Sequence, residues 1–228
     1  MSTNLRLRLI SSSTQRDAEV SIRDLIIAGW AGRDPAAVHE HIEELQKLGV
    51  RTPQTTPEFY SISASRLTLE PSIQVIGEAS GGEVECVLLC TGGKLWVGVG
   101  SDHTDRAAEV HGITLSKQIC EKPIAPIFWD FDDLRGHWDE LELRSFIADA
   151  ERSLYQKGRL ATLLPAKDLF SSRMDGRSTM EGVVMFCGTI PAIGGIRPCR
   201  SFELELNDPV LDRTISHRYV CQVLPIVA

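Results

Sequence analysis

The chain has 228 residues, 43% hydrophobic and 24% charged, with 18 Gly and 11 Pro, a composition that excludes collagenous, coiled-coil and disordered classes and suits one β-rich domain of up to roughly 250 residues. Twenty-four Lys and Arg against 31 Asp and Glu give a net charge of -7, so no nucleic-acid or anionic-membrane partner is expected. The cysteines Cys86, Cys90, Cys120, Cys187, Cys199 and Cys221 form no CxxC pair, and with no apolar leader or bilayer-length run the sequence reads as a cytoplasmic protein with reduced thiols.

Leu5, Leu7 and Leu9 alternate with Arg6 and Arg8, the period of a half-buried strand, so residues 1–24 read as an N-terminal strand and its lead-in. Asp34 as N-cap and Pro35 in the first turn open a helix over 35–48, with Val38, Ile42 and Leu45 at helical spacing and a stop at Gly49. Beyond it EFYSIS, SIQVIG, VECVLLC, KLWVGVG, PIFWDF, ELELRSF, GVVMFCG, SFELEL and ISHRYVCQVL read as strands. Short helices are expected near Thr104–His111 and Pro165–Ser171, and a flexible connection from Arg173 to Met180. Thr91-Gly92-Gly93, between two of the strands, is a hairpin signal, because glycine supplies the positive φ that tight hairpins need. The whole predicts a single α+β domain over 1–228, dominated by strands.

Chemistry concentrates after Gly81-Gly82. In a strand Glu83 and Glu85 share a face, and that face continues with Val87 and Leu89. A solvated edge would stay polar; two like charges leading into a buried face instead call for protonation or a cation. The returning strand ends at Asp102, which an antiparallel hairpin brings back beside the glutamates. Three carboxylates are hard oxygen donors, which favours Mg2+ or Mn2+, with Ca2+ as a further occupant, over zinc. The competing reading is that an E-x-E pair and a loop aspartate recur by accident in an acidic chain.

These residues carry a resemblance. Glu83-Val84-Glu85 resembles the E-x-E metal pair of the fumarylacetoacetate hydrolase family, and Asp102-His103-Thr104-Asp105-Arg106 its D-x-[ST]-x-R segment. Lys117 resembles the lysine before the family's Pro-containing loop, Gln156-Lys157-Gly158 its Q-x-G turn, and Gly188-Thr189-Ile190-Pro191 its GTP-like tripeptide with one residue inserted. SFELEL and ISHRYV resemble its closing strands, and the match runs from about Ile27 to Leu224, in detail like a branch described only as a domain of unknown function. The resemblance implies a β-roll of mixed sheets with a few short helices. It also implies a homodimer and cleavage of a C–C bond in a small 2,4-dioxo acid or related carbonyl acid.

By the same resemblance the 35–48 helix is a lid, whose His41 and Glu44 match an H-x-x-E pair that activates water. His39 with Glu43 has i,i+4 spacing but not the motif, and a solvated amphipathic face is the plain alternative. Lys117 would add positive charge at the reacting centre, while Arg106, Glu109, Gly188 and Thr189 would contact substrate. A surface ion pair for Arg106 and a turn cap for Thr189 are the structural alternatives. The sequence departs from the family where a hairpin replaces a helix between E-x-E and the aspartate, where Ala107 replaces an Asp, and where Glu109 replaces a Gln. The same machinery would serve a decarboxylase or an enol–keto isomerase, and a non-catalytic binder that kept the pocket is the reading from another class. A zinc site at His103 and His111 has little support, since their spacing matches no helical metal pair.

Overall fold

The leucine–arginine alternation becomes β1 (Thr3–Ile10), with Leu5, Leu7 and Leu9 buried. The computed structural model describes residues 2–47, 52–174 and 179–227, with all their side chains except those of His41, Glu44, Leu45, Lys47 and Met174. β2 (Gln15–Ile22) pairs back along β1, and β3 (Asp24–Gly29) follows with Leu25–Ala28 wholly buried, as an interior strand requires. Asp34 caps α1 (Pro35–Lys47): its Oδ1 accepts the Ala36 N–H at 2.9 Å, and its carbonyl the Val38 N–H at 3.1 Å. The expected stop at Gly49 and positions 175–178 of the expected flexible connection lie outside the described residues.

After β4 (Glu58–Ile62), β5 (Leu67–Thr68), β6 (Ser72–Ile76) and β7 (Ser80–Gly81) comes the expected hairpin of β8 (Val84–Thr91) and β9 (Lys94–Ser101). Its register runs from Val84↔Ser101 to Thr91↔Lys94, closed by Gly92 and Gly93 at φ 62° and 70°. The helix expected from Thr104 begins later: Thr104 and Asp105 form β10 (Thr104–Asp105) by pairing with Gly81 and Ser80. A 3-10 turn over Ala108–His111 and α2 (Ile113–Gln118) follow.

β11 (Lys122–Pro123), β12 (Ile127–Asp130), α3 (Phe131–Leu134), β13 (Glu142–Ile147) and β14 (Ser153–Arg159) lead to α4 (Ala166–Met174). β15 (Val183–Thr189), β16 (Ser201–Asp208) and β17 (Arg213–Leu224) complete the chain. Gln156-Lys157-Gly158, expected as a turn, lies inside β14, where Gln156 pairs with Ser145 and Gly158 with Leu143. A glycine suggests a turn, but here its missing Cβ leaves room for Ile190, whose Cδ1 would lie 3.2 Å from it.

Eight strands form a mixed sheet in the order β2-β1-β12-β9-β8-β15-β3-β4, and five a second in the order β14-β13-β16-β17-β6. Alternate residues of the central hairpin serve two cores. Cys86, Leu88, Val97 and Val99 pack in one cluster with Leu143, Phe202, Leu204 and Tyr219 of the smaller sheet. Val87, Leu89 and Trp96 join Leu7, Leu9, Ile27, Phe128 and Phe186 in a second cluster, gathered from the eight-stranded sheet itself as it curls. This is the expected strand-rich architecture of curled mixed sheets with few helices. All six cysteines are free thiols, and no described helix is long and apolar enough to cross a membrane.

Phe128 lies flat over Gly98, whose added Cβ would meet the ring at 2.7–2.9 Å. Gly98→Ala therefore overpacks the second core, and a loss of about 1–3 kcal/mol is expected in urea unfolding.

Candidate metal centre

The β8–β9 hairpin assembles the carboxylates. Glu85 continues the Val87–Leu89 face and is 2% exposed, Glu83 stands just before β8, and Asp102 just after β9. The Asp102 N–H donates to the Glu83 carbonyl at 3.0 Å, which extends the pairing one step past the strand ends. Ligand oxygens of Glu83, Glu85 and Asp102 all lie within 4.8 Å of one another. Among the described residues no other trio of His, Cys, Asp or Glu gathers so closely. A tight hairpin thus delivers Asp102 to the glutamates without an intervening helix.

Cations surround the cluster. Arg106 Nη2 is 2.8 Å from Glu83 Oε1, and its Nη1 is 2.8 Å from Glu109 Oε1. Lys117 donates to Asp102 Oδ2, and Lys122 Nζ lies 3.0 Å from Oδ1 while also donating to the His103 carbonyl. Burial would raise Asp102, but Lys117 and Lys122 outweigh it and hold the carboxyl at about 2. Glu85 goes the other way: burial, reinforced by the Asp102 charge, pushes it well above the usual carboxylate range. Lys117, which burial alone would lower, is raised by Asp102, Glu83 and Glu85.

The opposite wall is a bulge in β15. Its register with β8 slips between Phe186 and Thr189, and Gly188, at φ 91°, turns its N–H onto Glu85 Oε2 at 2.8 Å. A Cβ there would lie 2.9 Å from that of Ala31, so glycine is required for both conformation and space. The Thr189 hydroxyl donates to the Val84 carbonyl at 2.8 Å. Gln156, 1% exposed, ties the wall together: its Oε1 accepts the Val84 N–H at 3.0 Å and its Nε2 donates to Thr189 Oγ1 at 2.8 Å.

Eight of the ten site residues singled out in the sequence, Glu83, Glu85, Asp102, Arg106, Glu109, Lys117, Gly188 and Thr189, are therefore gathered around one point. His41 and Glu44 lie on α1, but their side chains are outside those described; His39 Nε2 sits 3.2 Å from Glu43 on an exposed face. His103 is no zinc ligand: it is fully buried, bonded to the Tyr219 hydroxyl at 2.9 Å, and burial pushes it down to about 3. Lys122 escapes sequence reasoning altogether, because nothing in EKP marks a lysine destined for complete burial. Tyr60 escapes too; its ring centre lies 5.9 Å from Lys117 Nζ, with its hydroxyl donating to Glu58 at 2.8 Å.

The donor set fits a hard divalent cation. All three groups offer carboxylate oxygen, Glu85 has no cationic partner of its own among the described residues, and Asp102 Oδ1 accepts no aligned hydrogen bond despite the nearby Lys122.

Residues 28–219 match the family model DUF2848, a protein of unknown function. No curated protein sequence matches the chain. Among solved structures, a candidate fumarylacetoacetate isomerase/hydrolase from Oleispira antarctica superposes with a TM-score of 0.69 at 17% identity, covering 94% of this chain and 99% of that one. A candidate fumarylpyruvate hydrolase from Burkholderia cenocepacia gives 0.61 at 17% identity over 99% and 98%. A 2-keto-3-deoxy-D-arabinonate dehydratase gives 0.66 at 14% identity over 92% and 77%. What these proteins share with the chain is the fumarylacetoacetate-hydrolase fold.

Because Glu85 is raised, the folded protein keeps a proton that the unfolded chain releases, so metal-free stability should fall as pH rises from the usual carboxylate range through Glu85's raised value. Asp102, held at about 2, contributes the opposite way: its share is complete above the unfolded carboxylate range and lost as pH falls towards 2. Urea midpoints across pH should show the first decline, Mg2+ should reverse it, and Glu85→Gln should remove both effects. A wild-type profile unmoved by Mg2+ would contradict the site.

Proposed function

The chain belongs to the DUF2848 family, and from the carboxylate cluster at the centre of this member we propose that it is a divalent-metal-dependent hydrolase. It cleaves a C–C bond in a small 2,4-dioxo acid or related carbonyl acid. The observation that carries this reading is the trio of part-buried Glu83 and buried Glu85 and Asp102, whose oxygens lie within 4.8 Å and in which burial and the Asp102 charge push Glu85 well above the usual carboxylate range. Neighbours of the same fold described as isomerase/hydrolase, fumarylpyruvate hydrolase and dehydratase support chemistry on oxo acids.

Mg2+ or Mn2+ held by the three carboxylates would supply Lewis-acid stabilisation of the enolate-like charge that develops as the bond breaks. The chain's own residues do the rest. Lys117, 8% exposed against the cluster, adds a fixed positive charge where that negative charge grows. Arg106 binds a substrate carboxylate or carbonyl beside Glu83, and Glu109 restricts what fits there, because it presents a carboxylate and shares the guanidinium at 2.8 Å. Gly188 and Thr189 line the facing wall. His41, oriented by Glu44 on α1, takes the proton from the attacking water, and closure of that helix excludes bulk solvent.

Decarboxylation and enol–keto isomerisation would use the same residues without water as a reactant, so the His41 position separates them from hydrolysis. In a panel of acylpyruvates and oxo acids with Mg2+ or Mn2+, His41→Ala should lower hydrolytic kcat by about 100-fold or more while calorimetry shows unchanged metal affinity. Glu85→Ala should abolish both metal binding and turnover. Full turnover by chelator-treated wild type would overturn the metal-dependent reading, and metal-dependent turnover unaffected by His41→Ala would shift it to isomerisation or decarboxylation.

A further inference from the structure

Asp102 is the middle of a run, Ser101-Asp102-His103, in which the carboxylate faces the cluster while its two neighbours face the smaller sheet. Both neighbours meet one hydroxyl. Tyr219 Oη lies 2.8 Å from Ser101 Oγ and 2.9 Å from His103 Nδ1, and all four residues are 0% exposed. The same hydroxyl, together with the Phe202 ring, fills the space over Gly82, where an added Cβ would lie 2.7 Å from the hydroxyl and 2.8 Å from the ring. Gly82 immediately precedes Glu83, so a single atom touches both chain segments that carry the outer carboxylates.

The tyrosine itself is anchored in the other sheet. It pairs with Phe202 across β16 and β17, its ring 5.8 Å from that of Phe202 and edge-on to His103 at 5.6 Å. A phenylalanine would fill nearly the same core volume without burying a polar group. The hydroxyl must therefore be balanced by what it binds. One proton assignment satisfies the network: Ser101 donates to Tyr219, Tyr219 donates to Nδ1 of neutral His103, and the His103 Nε2–H faces Cys221 Sγ at 3.9 Å.

We propose that Tyr219 is a positioning residue of the carboxylate cluster, its hydroxyl setting the separation and orientation of Glu83 and Asp102 from across the sheet interface. The inference rests on reading that cluster as a metal site, and it adds a determinant of affinity and coordination symmetry that touches no ligand atom. Groups that orient metal ligands from behind typically change affinity by 10–100-fold when removed.

The test is Tyr219→Phe, with Mg2+ calorimetry and Mn2+ electron paramagnetic resonance well below the unfolding temperature. About tenfold weaker Mg2+ binding and an altered Mn2+ zero-field splitting are expected. Ile215→Val, a core truncation in the same strand, should lower stability and leave both readouts as in wild type. Ser101→Ala, which leaves the His103 bond in place, should shift them in the same direction by less, and it serves if Tyr219→Phe does not fold. Wild-type affinity and spectrum in a folded Tyr219→Phe or Ser101→Ala, or an equal loss in Ile215→Val, would overturn the inference while leaving the metal reading intact. Absence of metal binding by wild type would remove both.

Discussion

Three carboxylates brought within 4.8 Å of one another inside a mostly apolar fold are the constraint around which this structure is arranged. At that separation two unit charges repel by about 3–4 kcal/mol at an effective dielectric constant near 20, so the trio is sustained only with counter-charge at hand. Arg106 provides it from just after β10, Lys117 from α2 and Lys122 from the start of β11. Their side chains converge because the segment from Thr104 to Pro123 passes along the open end of the β8–β9 hairpin, tied down at both ends by two-residue strand pairings.

The two-sheet architecture makes this convergence rigid. β8 and β9 belong to both cores, one face packed against the smaller sheet and the other turned into the curl of the larger one. Glu85, on the inner face of this hairpin, is flanked by paired strands on both sides, β9 and β15. The bulge at Gly188 then aims a backbone N–H at Glu85, and Gln156 from the smaller sheet fastens the bulge to Val84. The β15 wall of the site is thus set by a strand irregularity and a missing Cβ.

Much of this was legible in residue order. The period-two face running from Glu83 to Leu89 predicts a carboxylate pair leading into a core, and Thr91-Gly92-Gly93 predicts the hairpin that returns Asp102 to it; both depend on local geometry alone. The longer strands that sequence misses lack a local signal: β2 is exposed along most of its length, β3 is a short apolar run behind Asp24 with no alternation, and β14 contains a glycine that suggests a turn. Lys122 and Tyr219 were illegible for another reason. Their roles come from contacts made across 20 and more than 100 residues of chain, and a lone lysine or tyrosine carries no spacing that announces such a partner.

The two lysines on Asp102 are not equivalent, and the difference explains the division within the trio. Lys122 is fully sealed, lowered by burial and by the neighbouring Lys117 charge, and bound on its far side to a backbone carbonyl. Lys117 faces all three carboxylates and is raised by them. Asp102 therefore has a permanent partner behind and another in front, and stays ionised at about 2, whereas Glu85, with one backbone N–H bonded to it and Lys117 only nearby, is driven towards protonation by burial and the Asp102 charge. A trio with one member firmly charged and another waiting for a cation has protein counter-charge enough to fold and too little to hold all three carboxylates ionised. That residual deficit, located at Glu85 and not spread evenly over the cluster, is what a divalent ion would fill.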